Sequence, residues 1–141
     1  MSRDSFPRYI AIDYGTKRIG IAVSDPLEII ATPLVTLNND DKFWKLFKES
    51  ISNLKIKAFV LGYPLKENGE KSIITEKVEK FAEQLQKKFG KEVIFVDERY
   101  SSSIAEEQIV ESVKSKKKRQ NKALIDKTAA AVILQTFLDS K

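Results

Sequence analysis

Three acidic residues at the ends of predicted elements are placed where they could do chemistry together. Asp13 closes an apolar run that begins at Tyr9, Glu98 follows the apolar run 93–96, and Asp126 falls in the last predicted helix. Three carboxylates brought together repel one another and keep their protons unless cations share the site. Their hard oxygen atoms suit Mg²⁺ or Mn²⁺, and two such ions can stabilise the attacking and leaving oxygens of phosphodiester hydrolysis. Taken singly, each acid is better explained as a capping or turn residue, but the set favours a metal site.

The composition excludes several other kinds of catalysis. The chain of 141 residues has no Cys and no His, which removes disulfides, thiolate metal sites and every nucleophile that depends on a histidine base. A hydrophobic fraction of 42% predicts one globular domain over residues 1–141. No apolar run approaches the roughly 20 residues that span a bilayer, and residues 1–7 lack an apolar signal core. These features predict a cytoplasmic protein with no membrane partner.

The positive charge of the chain is concentrated in one short segment. The net charge is +5, and residues 114–122 read KSKKKRQNK, with six basic residues and no acid. Without those six, the acidic residues outnumber the basic ones. Such a segment favours a polyanion such as nucleic acid, because Lys and Arg replace the counterions condensed on a phosphate backbone. The alternative is a solvated lysine-rich loop.

The apolar runs predict strands. Residues 9–13 and 19–23 predict a hairpin around Gly15, with Ile10 and Ile12 on one face and Tyr9, Ala11 and Asp13 on the other. Residues 29–37 contain Pro33, which predicts an edge or irregular strand. Residues 58–61 and 93–96 are continuous apolar runs and predict buried strands.

Helical patterns alternate with these strands. Residues 38–41 predict a turn and helix N-cap, followed by a helix with apolar spacing through Leu54, and Trp44 is expected in its core-facing side. A second helix from Ile74 ends at Gly90, a third begins after residues 101–103, and a last helix covers about 123–138. This order predicts an α/β fold with a partly parallel sheet and helices on both of its faces.

The predicted topology brings the three acids to one place. Ligands of open α/β sheets collect at the carboxyl ends of the strands, where Asp13 and Glu98 should meet. Ala129 and Ala130 follow Asp126 by three and four residues. Small residues on that face would let the helix lie close to the sheet and bring Asp126 to the same edge.

Several residues near these acids are candidates for substrate contact. Gly15 is expected to adopt a positive φ or to permit the close approach of a phosphate. Lys17 and Arg18 could contact phosphates or belong to a solvated turn, and Arg99 could hold substrate or pair with a neighbouring acid. Tyr63 and Tyr100 could stack on bases or pack at the sheet edge. The substrate contacts predicted in the basic segment are Lys116, Lys117, Lys118 and Arg119.

Four motifs in order resemble one family over nearly the whole chain. They are residues 12–15 with 18–25, residues 62–64, residues 97–102 with Ala105, and Asp126 with residues 129–130 and 133–135. The set resembles the YqgF/RuvX family, whose members are named pre-16S rRNA nucleases or Holliday junction resolvases. The resemblance implies an RNase H-like fold, which is a five-stranded mixed sheet with the second strand antiparallel. It also implies a metal-dependent nuclease with Asp13, Glu98 and Asp126 as its acidic triad, acting in maturation of the 16S rRNA 5′ end.

Three other functions stay open at this point. A Holliday junction resolvase would cut branched DNA in two symmetric steps, which requires a homodimer, whereas a single-cut ribonuclease can act as a monomer. A silent nucleic-acid-binding module would use the basic segment for affinity and the acids for structure. An Asp-x-Gly-Thr hairpin also opens actin-like ATPases and sugar kinases, but one lobe of this size cannot enclose a nucleotide. Pre-rRNA is therefore the favoured partner, with ribosomal particles as a further one.

Overall fold

The computed structural model describes residues 6–97 and 122–141, and within the second range it describes side chains from Ala129 onward. The five strands are β1 (Pro7–Tyr14), β2 (Arg18–Ser24), β3 (Ala31–Asn38), β4 (Lys55–Tyr63) and β5 (Val93–Asp97). The three helices in these ranges are α1 (Phe43–Ser50), α2 (Ile73–Phe89) and α3 (Lys122–Asp139). None of these helices combines the length and apolar character needed to cross a bilayer.

The sheet is mixed and has the order β3-β2-β1-β4-β5. The β1 strand pairs antiparallel with β2 and parallel with β4, and β4 pairs parallel with β5. The second strand in the chain is therefore the antiparallel one, as the sequence predicted. Because β1, β4 and β5 run in the same direction, their carboxyl ends share one edge of the sheet, called the carboxyl edge below.

Each face of the sheet carries its own core. On one face, Ile10 and Ile12 of β1 join Phe59 of β4 and the buried sides of α1 and α2. On the other face, Tyr9 and Ala11 join the apolar side of α3. The alternation predicted for β1 and the placement of helices on both faces are thus confirmed. Trp44, expected in the core, is only half-buried at the rim of the first cluster.

The helix ends show where local patterns were and were not sufficient. Gly90 ends α2 with φ 65°, the left-handed conformation that glycine adopts without strain. Ser72 begins α2 with a capping box that it shares with Thr75. The predicted N-cap within residues 38–41 is wrong, because α1 starts after Lys42 and has no side-chain cap bond. The prediction that this helix reaches Leu54 is also wrong: it ends at Ser50.

The two edge strands of the sheet are β3 and β5, and only β3 was predicted to lie at an edge. The β3 strand is an edge strand, as Pro33 indicated, and its pairing with β2 shifts register where Ala22 meets Pro33. It starts two residues later than expected, and Ile29 and Ile30 are each 58% exposed. The β5 strand was predicted to be buried but lies at the opposite edge, with Phe95 44% exposed. An apolar run therefore predicts a strand, but it does not show whether other strands and helices cover that strand.

Candidate functional site

The carboxyl edge gathers the ends of three parallel strands. Ile12 pairs with Leu61, and on the next strand Gly62 and Tyr63 pair with Val96 and Asp97. Asp13 is the residue that follows Ile12, so it stands level with the ends of β4 and β5. Its side chain is half-buried, as is that of Asp97. The predicted meeting of the β1 and β5 ends is therefore confirmed.

Helix α3 runs antiparallel to β1 and reaches the same edge. Its far end is fixed at the start of β1, where the Phe137 and Tyr9 rings lie 4.9 Å apart and Lys141 Nζ donates to the Tyr9 hydroxyl at 2.8 Å. Position 126 precedes Phe137 by eleven residues, about 16 Å along a helix. Asp13 lies four residues beyond Tyr9, about 13 Å along a strand. The helix backbone at position 126 is thus carried toward the level of Asp13.

Small residues allow this close approach, as the sequence indicated. Ala130 is fully buried in the cluster beneath α3, together with Ala11 and Ala58 from the two neighbouring strands. An alanine on each surface lets helix and sheet backbones approach more closely than larger side chains would. The prediction that small residues after Asp126 let the helix lie close to the sheet is therefore supported by the packing of Ala130.

The turn after Asp13 is hydrogen-bonded to Asn39, a residue that the sequence analysis assigned to a helix cap. Asn39 donates from Nδ2 to the Gly15 carbonyl at 2.9 Å, and its backbone N–H donates to the Lys17 carbonyl at 2.8 Å. These bonds tie the β1–β2 turn to the end of β3. Asn39 was taken for part of a helix cap, and only the pairing of β2 with β3 could have revealed its role.

Gly15 is required in this turn, but not for the conformational reason expected. It is absent from the positive-φ glycines of the described chain, which are Gly69 and Gly90. A Cβ at position 15 would instead lie 2.4 Å from the Arg18 carbonyl oxygen. The turn is therefore too tight for any side chain at position 15.

The two cations of the turn occupy different settings. Lys17 is exposed, whereas Arg18 is half-buried and opens β2 by pairing with Asn38 of β3. Arg18 thus belongs to the sheet rather than to a solvated turn. Both residues follow Asp13 within five positions on the hairpin that carries it.

Tyr63 at the end of β4 has a structural role. Its hydroxyl donates to Glu79 Oε2 at 2.8 Å, and its ring packs 4.8 Å from that of Phe95. The hydrogen bond to Glu79 raises the pKa of Tyr63 above its ordinary value. Lys71 and then the Tyr63 hydroxyl lower the pKa of Glu79. Of the two uses proposed for Tyr63, packing at the sheet edge is the one realised here.

The remaining predicted site residues lie outside the described residues. They are Glu98, Arg99, Tyr100, Lys116, Lys117, Lys118 and Arg119, the helix predicted after residue 103, and the side chain of Asp126. Among the side chains that are described, no three acidic residues form a group that could hold a metal ion. The triad therefore stays a prediction, with Asp13 and the backbone of α3 as its described parts.

Comparisons with known proteins identify the family. The chain matches the family model described as RuvX: Holliday junction resolvase over residues 7–140. It is 42% identical over 134 residues to a protein of Amoebophilus asiaticus named "Putative pre-16S rRNA nuclease", which covers 94% of each chain. A protein of the same name from Sulfurihydrogenibium is 41% identical, covering 94% of this chain and 90% of that one.

Solved structures confirm the fold at much lower sequence identity. Fowlpox virus resolvase, solved with substrate Holliday junction DNA, is 12% identical, with a TM-score of 0.58 and coverage of 94% of this chain and 97% of that one. RuvC of T. thermophilus, in complex with a Holliday junction substrate, is 13% identical, with a TM-score of 0.53 and coverage of 90% and 91%. These structures agree with the sheet order and the antiparallel second strand. The family model over residues 7–140 and the two relatives that are 42% and 41% identical over 94% of this chain show that it belongs to the RuvX family of phosphodiester-hydrolysing enzymes.

Proposed function

We propose that this chain is a metal-dependent nuclease that matures the 5′ end of pre-16S rRNA in the cytoplasm, with residues 1–141 acting as a single nuclease domain. The observation that supports the proposal is the antiparallel packing of α3 along β1, which directs the start of the helix toward the edge that carries Asp13. The names of the similar proteins from Amoebophilus and Sulfurihydrogenibium support the choice of RNA as substrate. Ribosomal particles would be the natural partners of such an enzyme.

The proposed metal ligands are Asp13, Glu98 and Asp126. Asp13 fits this role because its carboxylate is half-buried at an open edge of the sheet, on backbone fixed by pairing with β2. Glu98 follows Asp97 directly in the sequence. A set made of carboxylate oxygens suits Mg²⁺ or Mn²⁺. The chemistry supplied by such ions is activation of water and neutralisation of charge on the scissile phosphate.

The other side chains of the site would position the substrate. Lys17 and Arg18 would attract the phosphates on either side of the cleaved bond, because their positive charges neutralise the phosphate backbone of the RNA. Gly15 would leave room for a phosphate beside the turn, and the bonds from Asn39 would keep that turn in place. Arg99 and the segment 116–119 would add further phosphate contacts.

The test is cleavage of an end-labelled pre-16S fragment with a 5′ extension, with and without Mg²⁺ or Mn²⁺. We expect Asp13→Asn to lower the rate by more than about 100-fold, since even residues that only orient metal ligands typically contribute 10- to 100-fold. Glu92→Gln is the control, because Glu92 is an exposed carboxylate just before β5, at the end of that strand opposite the carboxyl edge. Cleavage that survives without metal, or in Asp13→Asn, would contradict the proposal.

The second candidate function is resolution of Holliday junctions, which the description of the matching family model favours. A four-way DNA junction and a linear duplex therefore belong in the same assay. Symmetric paired cuts in the junction, together with a dimer by light scattering, would support the resolvase. Tight binding without cleavage of RNA or junction would instead favour a silent binding module.

A further inference from the structure

Helices α1 and α2 form a groove on the face of the molecule opposite α3. Two cavities of about 290 Å³ and 260 Å³ adjoin there, and Trp44 lines both of them. Lys77 and Lys80 line the first cavity, while Lys45, Lys48 and Lys88 line the second. These two cavities with Trp44 between them are called the tryptophan groove below. Five lysines and one acid, Asp40, border it, so the groove is strongly cationic.

Three lysines of α2, at positions 77, 80 and 88, face the groove, while Glu76 and Lys87 line neither the groove nor the cavity on the other side of the helix. With residue 84, these lysines recur at helical spacing. Glu79 and Glu83 lie on the other exposed side of the helix, where they line a separate cavity with Phe95 of β5. The lysines that face the groove favour an extended polyanion as the occupant.

Trp44 adds a feature that a simple phosphate site does not need. One face of its indole stacks on Phe81, with centroids 5.0 Å apart and planes 17° from parallel. Lys88 Nζ lies 5.1 Å from the ring centroid, and its side chain is exposed. A flexible lysine can swing aside and leave a braced aromatic surface for a base. Unpaired bases stack on such surfaces, whereas the bases of a duplex have no free face.

The groove begins at the carboxyl edge, on the face of the sheet opposite the one that Asp13 shares with Tyr9 and Ala11. Its first cavity is bordered by Tyr14 at the end of β1 and by Asn39, the residue that holds the turn after Asp13. Helix α2 runs antiparallel to β4, because Tyr63 bonds Glu79 while Phe59 contacts Phe89. Lys77 therefore lies nearest to the carboxyl edge and Lys88 farthest from it. The two lysines are eleven positions apart, about 16 Å along the helix, enough for a few nucleotides.

We propose that the tryptophan groove binds a single-stranded RNA segment that flanks the cleaved bond. The lysines contact its phosphates and Trp44 stacks on one of its bases. This inference rests on the proposed nuclease function for the identity of the substrate. It adds a surface that would hold the strand through contacts independent of metal and of the acidic residues.

The experiment uses Trp44 itself, which is the one tryptophan of the chain. Its fluorescence is followed while a single-stranded RNA oligonucleotide is added to the full-length protein in EDTA, so that no cleavage occurs. We expect saturable quenching. Lys77→Gln/Lys80→Gln should weaken the binding several-fold and flatten its dependence on the logarithm of salt concentration by about 1.4, the contribution of two phosphate contacts to a single strand. Lys55→Gln/Lys91→Gln, which removes the same charge outside both cavities, should bind like wild type.

The outcomes separate this inference from the proposed function. Absence of quenching, equal weakening by both double variants, tighter binding of a duplex than of the single strand, or a preference for DNA of the same sequence would each overturn it. Metal-dependent cleavage without quenching would support the proposed nuclease function and contradict RNA binding in the tryptophan groove. Quenching that is weakened by Lys77→Gln/Lys80→Gln, in a protein that cleaves no RNA, would support RNA binding in the groove and contradict the proposed nuclease function.

Discussion

The two faces of the sheet are packed by opposite means. On the face covered by α1 and α2, large rings fill the space, and Phe47 lies between the rings of Phe43, Phe59 and Phe89 at 5.4, 6.2 and 5.6 Å. On the face covered by α3, four alanines are buried among aliphatic side chains and Tyr9: Ala11, Ala22, Ala58 and Ala130. The aromatic face holds its helices at a distance, and the alanine face lets its helix come close.

The two kinds of packing have different consequences, one for stability and the other for how closely a helix approaches the sheet. Rings bury a large apolar area and so stabilise the fold, but they leave grooves between the helices that they separate. Alanines stabilise less per residue, yet they fix a helix backbone close to the strand ends. We therefore expect changes on the aromatic face to act mainly on stability, and changes on the alanine face to act on the proposed chemistry as well.

The largest effect is expected on the aromatic face. Phe47→Ala removes a fully buried ring and leaves a cavity, which should lower the free energy of unfolding by about 3 to 5 kcal/mol. Urea denaturation measures this loss as a lower midpoint concentration, while the dependence of the unfolding free energy on urea concentration stays the same. Phe95→Ala is the matched control, and it should cost much less because that ring is 44% exposed. Equal losses in the two variants would contradict the assignment of the core.

An intermediate effect is expected from overfilling the alanine face. Ala130→Leu should lower the free energy of unfolding by about 1 to 3 kcal/mol, because the site beneath α3 has no space for a larger side chain. It should also lower the cleavage rate of the folded protein, since α3 would be displaced from the carboxyl edge.

The matched control for this change is on the other face. Ala82 on α2 lines a cavity of about 420 Å³, which can accept the added methyl groups of Ala82→Leu. That variant should keep both its stability and its cleavage rate. If Ala82→Leu slowed cleavage as much as Ala130→Leu, the two faces would not differ in the way described.

The smallest effect is expected where polar contacts fix the end of α3. Lys57 and Lys141 lie 2.8 and 3.2 Å from Glu28 Oε1, and the bond from Lys57 is the larger cause of the lowered pKa of Glu28. A lowered pKa stabilises the folded protein above the ordinary value of 4.5, and the contribution is lost as the pH falls through the folded-state pKa below it. Glu28→Gln should therefore cost less than about 1 kcal/mol at pH 7, since these groups are partly exposed.

The pH dependence distinguishes this contribution from loss of packing. The difference in unfolding free energy between wild type and Glu28→Gln should narrow as the pH is lowered below 4.5. Glu92→Gln serves as the control, because Glu92 is an exposed carboxylate outside this cluster. A difference between wild type and Glu28→Gln that stayed constant from pH 7 to pH 3 would exclude the charge as its cause.

Much of the architecture could be predicted because it depends on local pattern. Alternation along residues 9–13 assigned Ile12 and Ala11 to opposite faces, and both lie where expected. Pro33 predicted an edge strand because a proline cannot donate to a ladder. The ordered motifs predicted the family, which the family model confirms.

Some errors are local, such as the two ends of α1, but those that bear on the site depend on how close the backbone of other segments comes. The exposure of Phe95 depends on which strand lies beside β5, and an apolar run carries no information about that. The role of Asn39 depends on β3 lying next to the turn after β1, so a residue with ordinary capping character was assigned to the wrong partner. Gly15 was correctly identified as special, but the cause is the Arg18 carbonyl oxygen rather than its own φ.

Residue pattern alone was enough to predict the five strands, the presence of three helices in the described ranges, the two sides of β1 and the family, because side-chain period and motif order are properties of a linear chain. Only packing between distant segments directs the start of α3 toward the edge that carries Asp13, brings Asn39 to the β1–β2 turn, and leaves Trp44 half-buried in a cationic groove. Those facts depend on distances between segments that are far apart in the sequence. Such distances are set by packing, in which the size of each buried side chain fixes how closely its neighbours approach.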